Sequence, residues 1–321
     1  MHWFYVALLA LGIVLFFILC VGIYTFIAAC RRRKPRHWLD EESLKGTDWE
    51  KLSPYIKHAY NWLETHKVED IAVQSKDGLR LYGRWIPAEN PRGTILLAHG
   101  FQSTPYVDFS LVLEVYHNLG MNMLIPDHRC HGKSEGRFIT YGVKESQDMA
   151  CWVEYHNAHL GNWPVILSGL SMGASTVLYM ADADLPENVK GMIADCGFTS
   201  PYDIIKHVFR WITHVPAWPF LWVTELCTRL FAGFCLKQKD TRKTLKAGKY
   251  PVLIVHGLAD DFVPCWMSRE GYEACTSAKE LLLVEGAGHG YSFLKDQERY
   301  TQMITAFLQR NLEDQDELRN H

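Results

Sequence analysis

Three residue types able to carry out acyl transfer together stand at the ends of apolar runs in this 321-residue chain. Ser171 lies in Gly169-Leu170-Ser171-Met172-Gly173, after the apolar run Pro164 to Leu167 and before the segment Ala174 to Met180. The pattern reads strand, tight turn, helix, the context in which G-x-S-x-G is a nucleophile elbow. Its glycines leave room for a strained turn that lifts the hydroxyl clear of the sheet edge. A serine hydroxyl is a poor nucleophile at neutral pH and needs a base. His289, in Gly286-Ala287-Gly288-His289-Gly290, supplies an imidazole of ordinary pKa about 6.5. A carboxylate beyond the imidazole would fix its tautomer and stabilise the imidazolium. Asp260, in a D-x-x-V-P arrangement after Pro251 to Val255, is preferred; Asp195, after Val189 to Ala194, comes next, and Asp261 is adjacent. The plain alternative for Asp260 or Asp261 is a solvated loop aspartate. Upstream, Gly93 to Ala98 runs into His99-Gly100-Phe101. The backbone N–H groups of Phe101 and Met172 are therefore the candidate donors to an oxyanion.

Each of these residues sits at the C-terminal end of a predicted strand, in the chain order Ser171, Asp260, His289. Val68 to Ser75 and Leu79 to Ile86 flank Lys76-Asp77-Gly78 as an antiparallel hairpin. Strands and helices then alternate, which predicts a mostly parallel sheet with flanking helices. Trp38 to Lys67 reads as a polar linker and a helix with Ser53 as N-cap and Pro54 at its first position; Ile56, Tyr60 and Leu63 share a face. Between Ala194 and Pro251 lies an insertion, read as a helical cap at about 200–248. Within it, Trp211 to Thr224 carries no Asp, Glu, Lys or Arg and is broken by Pro216 and Pro219, too short and interrupted to span a bilayer. Its apolar residues either pack on the cap's own helices, or Trp211, Trp218 and Trp222 line an apolar pocket above Ser171 or dip into a membrane interface.

From about Val68 to Leu312 the chain resembles the serine-hydrolase branch of the α/β-hydrolase superfamily, nearest to bacterial monoglyceride-lipase and serine-aminopeptidase types with a short helical cap. The segment Asp127-His128-Arg129-Cys130-His131-Gly132-Lys133-Ser134-Glu135-Gly136 is similar to that family's D-x-R-G-H-G-x-S-x-G loop, with Cys130 where the family usually has Gly. The resemblance implies an α/β-hydrolase fold and carboxylesterase or monoacylglycerol-lipase chemistry.

From Trp3 to Cys30 the chain has 28 residues without a charge, followed by Arg31-Arg32-Arg33-Lys34-Pro35-Arg36. About 20 apolar residues suffice to cross a bilayer, so residues 1–30 read as a single transmembrane anchor. A cleaved signal would begin with basic residues and have a shorter apolar run. Ile27-Ala28-Ala29-Cys30 resembles a lipoprotein cleavage box, but the basic cluster after it argues against export. That cluster keeps the catalytic body in the cytoplasm by the positive-inside rule and suits contact with anionic lipid. Nine cysteines without a CxxC fit a reducing compartment or plain apolar packing. Of 33 basic residues, five belong to this cluster; the remaining 28 face 36 acidic ones, so the body carries about eight net negative charges and no nucleic-acid face is implied.

His128 and His131 flank Cys130, but no second cluster with ligand spacing accompanies them, so no metal is assigned. His99 and His256 each precede Gly at a strand end and read as hydrogen-bonding partners of nearby loops. No dinucleotide or phosphate-binding glycine motif appears, and no cofactor is expected. The expected organisation is an anchor at 1–30, a basic cluster, linker and helix at 31–66, a hydrolase domain at 67–312 and a polar tail at 313–321. The expected activity is hydrolysis of carboxylic esters of apolar acyl groups through an acyl-serine, with a small-molecule or lipid ester as substrate. Alternatives are an acyl-protein or acyl-carrier thioesterase, an aminopeptidase, and a catalytically silent binding protein on the same fold.

Overall fold

The computed structural model describes residues 1–33, 37–47 and 49–313. Lys34, Pro35 and Arg36 of the basic cluster, and the expected polar tail beyond Glu313, lie outside the described residues. Eight strands form one sheet: β1 (Glu69–Gln74), β2 (Arg80–Ile86), β3 (Gly93–Ala98), β4 (Met121–Pro126), β5 (Val165–Leu170), β6 (Val189–Asp195), β7 (Val252–Gly257) and β8 (Lys279–Val284). Their spatial order is β1-β2-β4-β3-β5-β6-β7-β8. β1 and β2 form the antiparallel hairpin, β2 runs antiparallel to β4, and every pair from β4 onward is parallel.

The strands β3 and β4 are buried along their whole length, as a sheet covered on both faces requires. Alternation then sends successive residues to opposite layers. Ile95, Leu97, Met123 and Ile125 enter one core with Tyr116, Ile304 and Phe307; Leu96, Ala98 and Leu124 enter the other with Met149, Trp152 and Val177. Besides several shorter turns of helix, the chain forms α1 (His2–Cys30), α2 (Ser53–Glu64), α3 (Glu145–His159), α4 (Met172–Leu178), α5 (Pro201–Thr213), α6 (Trp218–Cys227), α7 (Trp266–Ala274) and α8 (Gln297–Glu313).

The segment before the sheet is better packed than a polar linker. Trp38, Leu44, Leu52 and Ile56 are buried together with Val107. Ser53 lies inside α2 rather than capping it, because a 3₁₀ turn over Glu50–Leu52 leads directly into the helix and leaves Leu52 at the N-cap. The insertion between β6 and β7 is helical. Proline opens its helices rather than breaking them: α5 stops at His214 in the left-handed region (φ 57°), and α6 restarts with Pro219 in its first turn.

α1 packs on this insertion. A Cβ at Gly22 would stand 2.4 Å from Val223 Cβ and 2.8 Å from the Phe220 carbonyl oxygen, so only glycine lets the two backbones approach this closely. Thr224 Oγ1 lies 3.1 Å from the carbonyl oxygens of both Gly22 and Phe220. Past the helix end, Arg31 forms an antiparallel bridge with Phe138, and the Arg32 guanidinium donates to the carbonyls of Ser134 (2.6 Å) and Gly132 (2.8 Å). Tyr141 donates its hydroxyl to the Ala29 carbonyl at 3.2 Å. A continuous apolar cluster therefore reaches from Phe26 and Cys30 through Tyr141 to Met172, next to Ser171.

Candidate active site

β5 ends at Leu170 and α4 begins at Met172, leaving Ser171 alone at the corner with φ 56° and ψ −115°, a strained conformation for a non-glycine residue. Its N–H is tied to the Asp195 carbonyl at 2.8 Å. The flanking glycines are demanded by close approach: a Cβ on Gly169 would lie 2.2 Å from the Gly173 carbonyl oxygen, and one on Gly173 would lie 1.8 Å from that of Ala98. Any side chain there would push α4 off β3 and β5.

Ser171 Oγ lies 2.9 Å from His289 Nε2, and His289 Nδ1 lies 2.7 Å from Asp260 Oδ2. The Asp260 side chain is fully buried, and His289 is about one-fifth exposed. The other carboxylate oxygen accepts the N–H groups of Phe262 (3.0 Å) and Val263 (2.8 Å). Burial by itself raises a carboxyl's pKa, but the hydrogen bonds and charge from His256 and His289 outweigh it and hold Asp260 well below the usual range. Asp195 is not brought to His289. Its Oδ1 accepts from Ser292 at 3.2 Å, and burial pushes its pKa up. Asp261 is exposed, and its carbonyl takes His207 Nε2 at 3.0 Å.

Neither the Phe101 nor the Met172 amide donates to the protein among the described residues, and Met172 opens α4, where the helix dipole adds positive potential. The loop carrying Phe101 is held from both sides. Asp108 Oδ2 accepts the Gly100 N–H at 2.5 Å, its Oδ1 accepts the Ser103 hydroxyl at 2.6 Å, and burial pushes its pKa up to about 6. His99 Nδ1 lies 2.9 Å from the Gly100 carbonyl oxygen, and its Nε2 accepts the His128 N–H at 3.0 Å. His131 Nε2 accepts the Gln102 N–H at 3.0 Å. Burial lowers the pKa of all three imidazoles, that of His128 to about 3. Cys130, where glycine was expected, sits at φ 68°, in the region that favours glycine.

His256 lies 3.3 Å from Asp260 through Nε2, which is also 2.8 Å from the Val263 carbonyl oxygen, and its Nδ1 lies 2.7 Å from Ser268 Oγ. It is thus a second imidazole on the acid. Sequence reasoning placed His256 near the loops but missed this contact, and it missed Asp108, whose contact with Gly100 depends on the path of the intervening turn. Cys196 Sγ, an Asp260 oxygen and a His289 nitrogen lie within 4.8 Å of one another, a grouping of metal-ligand type. Burial raises the Cys196 pKa far above the ordinary thiol value, and Asp260 and His289 already engage each other, so ligation there would compete with the hydrogen-bonded pair.

Aromatic rings wall the site. Phe101 stacks on Tyr141 at 5.2 Å, Tyr141 meets Phe198 at 6.1 Å, and Phe262 stands edge-on to His289 at 5.1 Å. Trp211 meets Phe262 at 6.4 Å, one ring removed from the base. Trp218 and Trp222 point outward, 63% and 72% exposed, and meet each other at 5.8 Å. The structure does not turn them toward Ser171. With Leu226 and Leu230, at 55% and 68%, they form an exposed apolar stripe at four-residue spacing.

Residues 89–229 match the family model described as serine aminopeptidase, S33, and residues 221–318 match that of TAP-like protein. The chain is 27% identical to the uncharacterized protein YqkD of Bacillus subtilis, over 94% of this chain and 96% of that one. It is 25% identical to the uncharacterized membrane protein YNL320W of Saccharomyces cerevisiae, over 75% and 79% of the two chains. Among solved structures, the Pyrococcus furiosus esterase Pf2001 superposes with a TM-score of 0.63 at 21% identity, covering 77% of this chain and 92% of that one.

Proposed function

Because this chain belongs to the α/β-hydrolase superfamily and has a hydrolase-type function, we propose that it is a membrane-anchored serine hydrolase that cleaves carboxylic esters of apolar acyl groups. One observation carries the reading: His289 bridges Ser171 and Asp260 at 2.9 and 2.7 Å beside two undonated amides. In this mechanism His289 Nε2 takes the hydroxyl proton as Ser171 Oγ attacks the ester carbonyl. The Phe101 and Met172 N–H groups receive the oxyanion. Collapse breaks the bond to the leaving oxygen, to which His289 returns the proton, and the acyl group remains on Ser171. Water, deprotonated by the same imidazole, then releases the acid. Asp260 stays ionised throughout and stabilises the imidazolium.

The rings of Phe101, Tyr141, Phe198 and Phe262 favour an apolar acyl group over a charged amine. Anchoring is supported by α1, which is apolar, long enough to cross a bilayer and mostly exposed, with only Gly22, Phe26 and Cys30 buried, and by the outward stripe of α6 beside it. The basic residues following α1 support a cytoplasmic body. The test is labelling by a fluorophosphonate probe, followed by turnover across ester, thioester and amide substrates of increasing chain length. Absence of labelling in folded protein overturns the serine mechanism; faster amide than ester turnover overturns the substrate class.

A further inference from the structure

A groove of about 960 Å³ opens where α1 leaves its apolar run. It lies at the top of the size range of roughly 300–1,000 Å³ for small-molecule sites and is much larger than a free anion needs. Its walls are apolar: Ile27 and Phe26 from α1, with Phe138 and Phe231 at ring distances of 5.3 and 6.0 Å from Phe26. Its rim is cationic. Arg31, Arg33 and Arg137 line it, are exposed, and have no carboxylate partner among the described residues. The Arg32 guanidinium is held by the Gly132 and Ser134 carbonyls, and that of Arg33 donates one N–H to the Ala28 carbonyl at 3.0 Å, which leaves Arg31 and Arg137 as the cations least engaged with the protein.

Resting on the anchor reading, we infer that this groove binds one anionic phospholipid of the membrane. The guanidinium groups of Arg31 and Arg137 hold its phosphate, with Arg33 alongside. Its acyl chains run down the α1 wall toward the membrane interior. Two observations fix this class of occupant. The apolar walls continue the surface of a bilayer-crossing helix, so a chain lying there remains in hydrocarbon. The guanidinium groups, without carboxylate partners, sit at the end of that helix, at headgroup depth, where a phosphate can receive bidentate donation. The lipid would join α1 to the turn after α6 and to the 136–138 loop, and so brace the anchor against the catalytic body.

The experiment uses the full-length chain extracted in mild detergent from vesicles of equal phosphatidylglycerol and phosphatidylcholine, with bound lipid counted by native mass spectrometry. One phosphatidylglycerol per chain, preferred about tenfold or more over phosphatidylcholine and lost with rising salt, is expected. R31Q/R137Q should lower that preference about tenfold while turnover of a soluble acetyl ester is unchanged. Equal retention of the two lipids by the wild-type chain overturns the site, as does undiminished preference in a variant that still turns over the ester. Release of the chain from membranes by alkaline carbonate overturns the anchor reading, and the site with it.

Discussion

Asp108 accepts the backbone N–H of Gly100, and that bond sets the direction of the next amide in the chain, Phe101. A buried carboxyl, rather than the strand end alone, thus holds the loop that carries one of the two proposed oxyanion donors.

Asp108 has a pKa pushed up to about 6 by burial, against about 3.8 in the unfolded chain. The neutral form is therefore favoured by folding. Its stabilising contribution is fully present below the unfolded pKa and is lost as pH rises through about 6. Relative to Asp108→Asn, the wild type should lose stability between pH 4 and 7, by up to roughly 3 kcal/mol at 1.36 kcal/mol per unit. Urea unfolding of both proteins across this range measures the difference; a gap that does not vary with pH would show that Asp108 does not titrate there.

Ser171→Ala should abolish esterase turnover, a loss on the order of 10⁶, together with fluorophosphonate labelling, while circular dichroism stays unchanged. Asp260→Asn should cost on the order of 10⁴ by favouring the wrong imidazole tautomer. A larger loss from Asp195→Asn would move the acid to the neighbouring strand.

Trp211, one ring from His289, should influence acyl preference, whereas Trp218 and Trp222 should not. Removing Trp211 should lower kcat/KM for decanoyl esters by roughly tenfold relative to acetyl esters, since each buried CH₂ contributes about 0.8 kcal/mol and burial here is partial. Trp218→Ala and Trp222→Ala should leave the decanoyl-to-acetyl ratio within about twofold. A shift in that ratio for either would place the α6 face in the pocket.

Gly22→Leu should separate α1 from the cap without shortening the apolar run, because the added side chain meets Val223 and the Phe220 carbonyl. Overpacking of this kind costs about 1–3 kcal/mol. In detergent, protease should cut the 31–40 region faster in the variant while the chain stays membrane-bound; unchanged cleavage would mean that the helix and cap part readily even with glycine.

Local pattern made much of this molecule readable. Apolar runs ending in glycine mark β3, β5 and β7, and the elbow needs only its two glycines and a following helix. What escaped depends on three-dimensional path. The Asp108 to Gly100 bond closes an eight-residue loop whose sequence prescribes no return, and His256 reaches Asp260 only because the turn folds back. The charge-free stretch in the cap was ambiguous for a different reason. A row of tryptophans at helical spacing has the same composition whether it faces an acyl pocket or lipid, and only the packing of α1 against Val223 fixes which side faces out.

Contact between Gly22 and Val223, with Thr224 bonded to the Gly22 carbonyl, makes the proposed anchor a strut rather than a leash. An enzyme on a flexible linker sweeps a hemisphere and can meet substrate at many heights above the bilayer. If α1 crosses the bilayer as proposed, the span, the cap and the serine corner would move as one piece, and the proposed catalytic mouth would keep a fixed altitude and tilt. Selection among esters would then act first through where in the membrane's depth profile a scissile carbonyl resides, before any pocket measures the length of its chain.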